Sequence, residues 1–531
     1  MRRFARSLIA LVLSGLVVMP VVVPAAPSAA ADPTAGSTET TFEAPPSSLD
    51  GEVVVRLDPA STDDLDDPVT PDALKRHATT TQADLLRWAE RTAGVEVRNT
   101  HWLVNAVTLS VAPDADLHEA GDVANVRAVT DAITVSRAPA TASSTDHSQN
   151  ETGDRGSEGA SSATYGLSMV DAPAAWEAYD ATGEGVTVAV LDSGVDGGHP
   201  DIDVDRFRAF DADGDPVDSE PVDPSPQSHG THVAGTVAGG NASGTHIGVA
   251  PDAELAVGGV LTNCGAFGCS GTFDQIIGGM EWAVAEADAD VMSMSLGIDG
   301  NADAMVEPVR NARAAGTLVV AAAGNAGEGT SGSPGNVYDA VGVGAVNEER
   351  SVPSFSGGEV VSADDWTNPP TSWPEEYVVP AVSAPGVDVR SAQGSDGYGE
   401  LSGTSMATPH VAGVAALVAS TTDADADTLA DALEETAEKP TDTPAPPDRR
   451  DIRHGAGVVA ATDAIDSVGP ERSTPAAALP PSSGAVDQPP KTDTVRVFVA
   501  TVERLADGLD SYTEPLSGQD PTLAPSRQKV R

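Results

Sequence analysis

At 531 residues the chain is too long for one compact core and calls for two or three folded units joined by linkers. A formal net charge of -51 excludes nucleic acid as a natural partner, while a hydrophobic fraction of 40% excludes wholesale disorder. Lysine occurs only at Lys75, Lys439, Lys491 and Lys529, the other positive charges being arginine. Two readings of this composition stand side by side, an ordinary acidic exported protein and a protein adapted to high salt, where screening relieves self-repulsion; the halophilic one is preferred.

The chain opens with Arg2, Arg3 and Arg6, an apolar run over 8–23, and Ala29, Ala30 and Ala31 ahead of Asp32. This pattern is a secretory signal peptide over 1–31, cut near Ala31, and implies an extracellular product with no stable membrane insertion after its removal. Pro20 and Pro24 interrupt the run and argue against a membrane anchor. Sec and twin-arginine export both remain open. Residues 32–50 read as a linker rich in Pro, Ser and Thr.

A small α+β unit follows over 51–137. Residues 52–57 read as a strand, 80–91 as an amphipathic helix, and the alternation of Leu103, Asn105, Val107, Leu109 and Val111 as a second strand. A short helix near Leu117 and strands near Val123 and Ile133 complete a β-α-β-β-α-β, ferredoxin-like order. Residues 138–163, dense in Ser, Thr, Asp and Gly, form a second, cleavable linker. From 164 to 468 short apolar β-branched runs alternate with helical stretches, which predicts an α/β domain with a mainly parallel sheet and flanking helices. Chemistry is then expected at the carboxyl ends of the strands. Residues 469–531 are a Pro/Ser/Ala-rich tail whose role is not readable.

Three segments of the α/β region carry candidate chemistry: VAVLDSGVD (188–196), SHGTHVAGT (228–236) and GTSMATPHVAG (403–413). Asp192 ends an apolar strand, His229 opens a small-residue helix, and Ser405 opens another, with its N–H at the positive end. Taken singly, each has a duller meaning as a strand-end cap, a buried histidine or a helix N-cap. His229 and His232, three apart, would also suit a metal pair, but no third ligand stands at a suitable spacing.

Together, and in this order, the segments resemble the active-site segments of subtilisin-like serine proteases over essentially the whole of 164–467. The resemblance implies a subtilisin-like α/β fold and a secreted endopeptidase working through an acyl-enzyme. Ser405 would be nucleophile, His229 general base, Asp192 its orienter and Asn325 an oxyanion donor, with no cofactor needed for the chemistry. Ser270 and Gly271 would pair with an extended protein or peptide substrate. Ser295, Leu296 and Gly297 would face Ala322, Ala323 and Gly324 across the first specificity pocket. Ala326 stands where some relatives carry an acid, so a broad or apolar preference is expected. Residues 51–137 would be an inhibitor-like propeptide acting as intramolecular chaperone and inhibitor, removed by self-processing within 138–163, and the mature protein would act as a monomer.

A structural calcium could sit at Asp201, though the loop after the histidine helix lacks the expected Asn, or at Asp211, Asp213 and Asp215, where a solvated acidic loop competes. In an exported chain Cys264 and Cys269, the only cysteines, are expected to form a disulfide, two inert thiols being the alternative. Two rivals remain, an inactive peptide-binding relative, which would ordinarily have lost a triad member, and a narrow maturation protease.

Overall fold

The computed structural model describes residues 51–60, 69–113, 115, 117, 119–136, 141–142, 162–266, 268–440 and 450–469. The expected signal peptide, the first linker, nearly all of the second linker and the tail beyond Gly469 lie outside these residues.

The amino-terminal portion is a four-stranded antiparallel sheet of β1 (Gly51–Leu57), β2 (Val95–His101), β3 (Ala106–Val111) and β4 (Val126–Asp131), in the order β2-β3-β1-β4. Helix α1 (Pro71–Ala89) starts where Thr70 caps the N–H of Ala73 and a proline occupies the first turn. Its Leu85, Trp88 and Ala89 pack with Val53, Val55, Val107 and Leu109 on one face of the sheet. Two expectations are corrected here. The second strand of the sheet is β2, whose sequence VEVRNTH exposes most of its side chains and so shows no apolar alternation. Leu103 and Asn105 lie instead in the β2–β3 turn, Asn105 adopting φ 48°, a left-handed conformation that Asn tolerates. The helix expected near Leu117 is a series of turns among the described residues.

Two further short segments leave this sheet, β5 (Thr134–Ser136) and β6 (Thr141–Ala142), and each joins strands far along the chain.

The larger portion is built on an eight-stranded sheet. In chain order its strands are β7 (Thr187–Asp192), β8 (Arg206–Phe210), β9 (Pro216–Val217), β10 (Glu254–Gly259), β11 (Val291–Met294), β12 (Leu318–Ala322), β13 (Val341–Val346) and β14 (Val382–Pro385). The spatial order is β9-β8-β10-β7-β11-β12-β13-β14, all neighbours parallel except the edge pair β9–β8. Strands β7, β11, β12 and β13 are buried at every residue, as apolar runs covered on both faces must be. Helices α2 (His229–Ala238) and α5 (Thr404–Ala419) cover one face, α3 (Phe273–Ala285) and α4 (Val306–Ala314) the other. Among the described residues no helix is long and apolar enough to cross a membrane.

The 355–382 segment adds a hairpin, with strands Glu359–Ser362 and Glu376–Val379, and its aromatics form a satellite core. Trp366, Trp373 and Tyr377 are all buried, and the Tyr377 hydroxyl donates to the Asn336 carbonyl at 2.7 Å.

Candidate active site

Strand β7 ends at Asp192, which is fully buried. The next helix on the same side, α2, starts at His229, whose Nδ1 lies 2.8 Å from Asp192 Oδ1. Two glycines permit this approach. A Cβ on Gly194, at φ +120°, would lie 2.1 Å from the Val222 carbonyl, and one on Gly230 would lie 2.0 Å from the Gly194 carbonyl. His229 Nδ1 donates to the carboxylate, which leaves Nε2 as the ring's lone-pair nitrogen; Nε2 is buried and has no hydrogen-bond partner. His232 turns elsewhere, donating from Nε2 to the Val389 carbonyl at 2.8 Å, and burial pushes its pKa down to about 3, so it stays neutral.

Ser405 sits in the first turn of α5, also fully buried. Its hydroxyl donates to the Ser295 carbonyl at 3.1 Å, and the Ser295 hydroxyl returns a bond of 2.7 Å to the Ser405 carbonyl. The second bond follows from Pro409. That residue has no N–H to offer the carbonyl four residues back, so Ser405 O is left for Ser295. His410 donates from Nδ1 to the Met406 carbonyl and is held neutral by burial, at about 4, which makes it a packing residue. The Asn325 amide oxygen accepts from the Thr404 N–H at 2.9 Å and the Thr404 hydroxyl at 3.0 Å. Fixing the oxygen this way also fixes the direction of the opposite NH2 group.

The expected substrate positions form two borders. Ser295, Leu296 and Gly297 follow β11, and Ala322 ends its parallel neighbour β12 with Ala323 and Gly324 after it, so the two segments leave the sheet side by side. Ser270 and Gly271 belong to the strand Gly268–Thr272 and are already paired, to Ser136 and Val135 of β5. Ser136 also exchanges both backbone bonds with Gly297, at 3.2 and 2.8 Å. On the far side of Ser405, β6 pairs with Leu401 and Ser402 of the strand Gly397–Ser402. Strands β5 and β6 are thus each paired to a strand of the catalytic portion, β5 beside Gly297 and β6 just ahead of Ser405 in sequence.

Cys264 and Cys269 form a disulfide across the hairpin that presents Ser270, their Cα atoms 4.0 Å apart. The carboxylates named for calcium take part in contacts within the protein as follows. Asp201 accepts from the Ala242 N–H on one oxygen and from the Tyr398 hydroxyl, at 2.6 Å, on the other. Asp211 accepts the N–H groups of Asp213 and Asp215, both at 3.1 Å, and Asp213 pairs with Arg98 at 2.7 Å. Among the described residues no three acidic, histidine or cysteine side chains converge to hold a metal.

Other contributing residues escaped the sequence reading. Asp274 and Glu281 on α3 grip the amino-terminal sheet. Asp274 accepts from His101 Nε2 at 2.7 Å and from the Thr108 hydroxyl at 2.5 Å. Glu281 accepts the N–H groups of Trp102 and Leu103, at 2.5 and 2.9 Å, and desolvation pushes its pKa up to about 7. In a chain this acidic, two more carboxylates on a helix give no signal. Only the buried partner side identifies them.

The model of the subtilase family matches residues 183–458. Subtilisin E of Bacillus subtilis is 39% identical over 271 residues, covering 50% of this chain and 62% of that protein. A subtilisin of Bacillus pumilus is 39% identical over 269 residues, covering 49% of this chain and 86% of the relative. An intracellular serine protease of Paenibacillus polymyxa is 38% identical over 260 residues, 48% of this chain and 72% of the relative. The chain thus spans less than two thirds of the length of the first of these proteins.

Proposed function

Because the chain belongs to the subtilase family, we propose that it is an exported serine endopeptidase, made as a precursor that processes itself. The observation that carries the chemistry is the buried Asp192–His229 pair, 2.8 Å apart, with an unpartnered Nε2, standing with Ser405 at the carboxyl end of the sheet. Rotation about the Ser405 Cα–Cβ bond exchanges the Ser295 carbonyl for His229 Nε2 as acceptor. Nε2 then takes the hydroxyl proton as Oγ attacks a peptide carbonyl. The tetrahedral oxyanion is met by the Ser405 N–H at the positive end of α5 and by the Asn325 NH2. His229 passes its proton to the leaving amine, and water repeats the sequence on the acyl-enzyme. Asp192 holds the tautomer and stabilises the imidazolium. No residue role here calls for a cofactor.

The inhibitor reading of residues 51–137 is supported by β5, which occupies as an added strand the edge that a substrate would use. Since β5 and β6 flank Ser405, the bond cut in self-processing lies between Ser136 and Thr141. Substrates are extended segments of proteins and peptides. The six residues bordering the pocket carry no charge, so apolar side chains are preferred there. A fluorophosphonate probe followed by peptide mapping tests the nucleophile: the label is expected on Ser405 with concurrent loss of hydrolysis of an unfolded protein. A label elsewhere, or hydrolysis by the labelled protein, contradicts the assignment. A Leu or Phe peptide turning over more slowly than an Arg or Lys one contradicts the pocket reading.

A further inference from the structure

One half-buried carboxylate beside the site is not used by the mechanism above. Asp223 lies in the loop before α2, six residues ahead of His229, and burial pushes its pKa up. Its Oδ1 accepts the Ser193 hydroxyl at 2.8 Å and the Ser225 N–H at 3.0 Å. Its Oδ2 accepts both the N–H and the hydroxyl of Thr231, at 2.9 and 2.7 Å. Four donors from three segments fill the carboxylate.

Two of those segments hold the reacting groups. Thr231 is in the first turn of α2, the helix that begins with His229, and Ser228 at its N-cap supplies no side-chain bond. Asp223 does that capping from outside the helix. Ser193 follows Asp192 directly, and its N–H already donates to Asp192 Oδ1 at 2.7 Å. The Ser193 hydroxyl has one proton and two carboxylates in reach, Asp223 Oδ1 at 2.8 Å and Asp192 Oδ1 at 3.2 Å. The shorter contact takes it, and the Gly230 N–H fills a lone pair of the same oxygen at 3.1 Å. Asp192 Oδ1 is thereby kept for the imidazole and one backbone donor. Every further donor there would draw negative charge off the imidazolium.

We propose that Asp223 is a positioning residue, which ties the strand end bearing Asp192 to the helix bearing His229 and diverts the Ser193 proton away from Asp192. The proposal rests on the serine-peptidase reading of the same site.

In Asp223→Asn the amide cannot accept from all four donors, and the Ser193 proton turns to Asp192. The expected result is a fall of about tenfold in kcat with KM kept, and an acidic limb of the kcat/KM profile moved down by about half a pH unit. Ser193→Ala alone is expected to cost less than about threefold, and to remove the limb shift when combined with Asp223→Asn. Two effects that simply multiply, or a rise in KM with the limb unmoved, overturn the proposal. If Asp223→Asn does not accumulate as folded protein, Asp223→Glu keeps the charge but misplaces it; it is expected to lower kcat with KM kept, and wild-type kinetics would overturn the idea. Wild-type hydrolysis measured alongside separates the two readings. An inactive wild type removes both, whereas an active wild type with an indifferent variant removes only the role of Asp223.

Discussion

Removing the Asp274 carboxylate should loosen the grip of the catalytic portion on the amino-terminal sheet by a predictable amount. Asp274 is 4% exposed, and it is the acceptor for two donors that are each 1% exposed, His101 and Thr108. In Asp274→Ala both donors stay buried without it. An unpaired buried donor costs about 1–3 kcal/mol, so the pair costs about 2–6 kcal/mol, and water entering the space left by the side chain brings this to about 2–4 kcal/mol. At about 1.4 kcal/mol per decade, opening of the interface becomes roughly 30- to 700-fold more frequent. The assay is amide hydrogen exchange at β2 and β3 in the Ser405→Ala precursor, where no cleavage intervenes. Thr108→Val, which keeps the His101 contact, should lose less than half as much. Protection within about threefold of the parent, in a variant whose central sheet exchanges normally, would refute the bookkeeping and the claim that this contact holds the sheet in place.

Glu281 has its pKa raised on burial, from 4.5 to about 7, so its contribution to association is present in full below pH 4.5 and is lost as pH rises through about 7. Protection of β2 and β3 should therefore fall between pH 5 and 8 in the parent and stay level in Glu281→Gln; equal pH dependence in both would contradict this. Asn325→Ala should cost about 10²–10³-fold in kcat at nearly constant KM, a size already known for such a donor in a subtilisin, and a change confined to KM would remove its oxyanion role. Replacing Cys264 and Cys269 by Ala opens a short loop, for which chain entropy gives about 2 kcal/mol, read as a melting temperature lower by several degrees; an unchanged transition would show that the hairpin is held without the bond.

What the sequence made legible was decided by how far each signal depends on neighbours in space. Strands such as TVAVLD and VGVGAV are buried on both faces, so their apolar runs announce them, and the family motifs mark Asp192, His229 and Ser405 by long local patterns. Strand β2 was missed because its outward side chains are polar and its stability comes from pairing with β3. Asp223 was invisible for a different reason. It lies among Asp211, Asp213, Asp215, Asp218 and Glu220, and only the convergence of Ser193 and Thr231 on its oxygens sets it apart. The acidic loops were weighed as calcium ligands from composition; in the fold Asp201 accepts from an N–H and an O–H donor on its two oxygens, and Asp211 accepts two N–H groups on one of its own.

The central claim, that Ser405 cleaves peptide bonds, beginning with one in its own chain, is tested most directly by expressing wild type and Ser405→Ala side by side and determining intact mass and amino-terminal sequence. Wild type should yield a shortened protein whose new terminus falls within 137–141 and which hydrolyses an unfolded protein, while the variant stays an uncut, inactive precursor. A Ser405→Ala protein processed at the same place, or a folded wild type that cleaves neither itself nor the added substrate, would contradict the account.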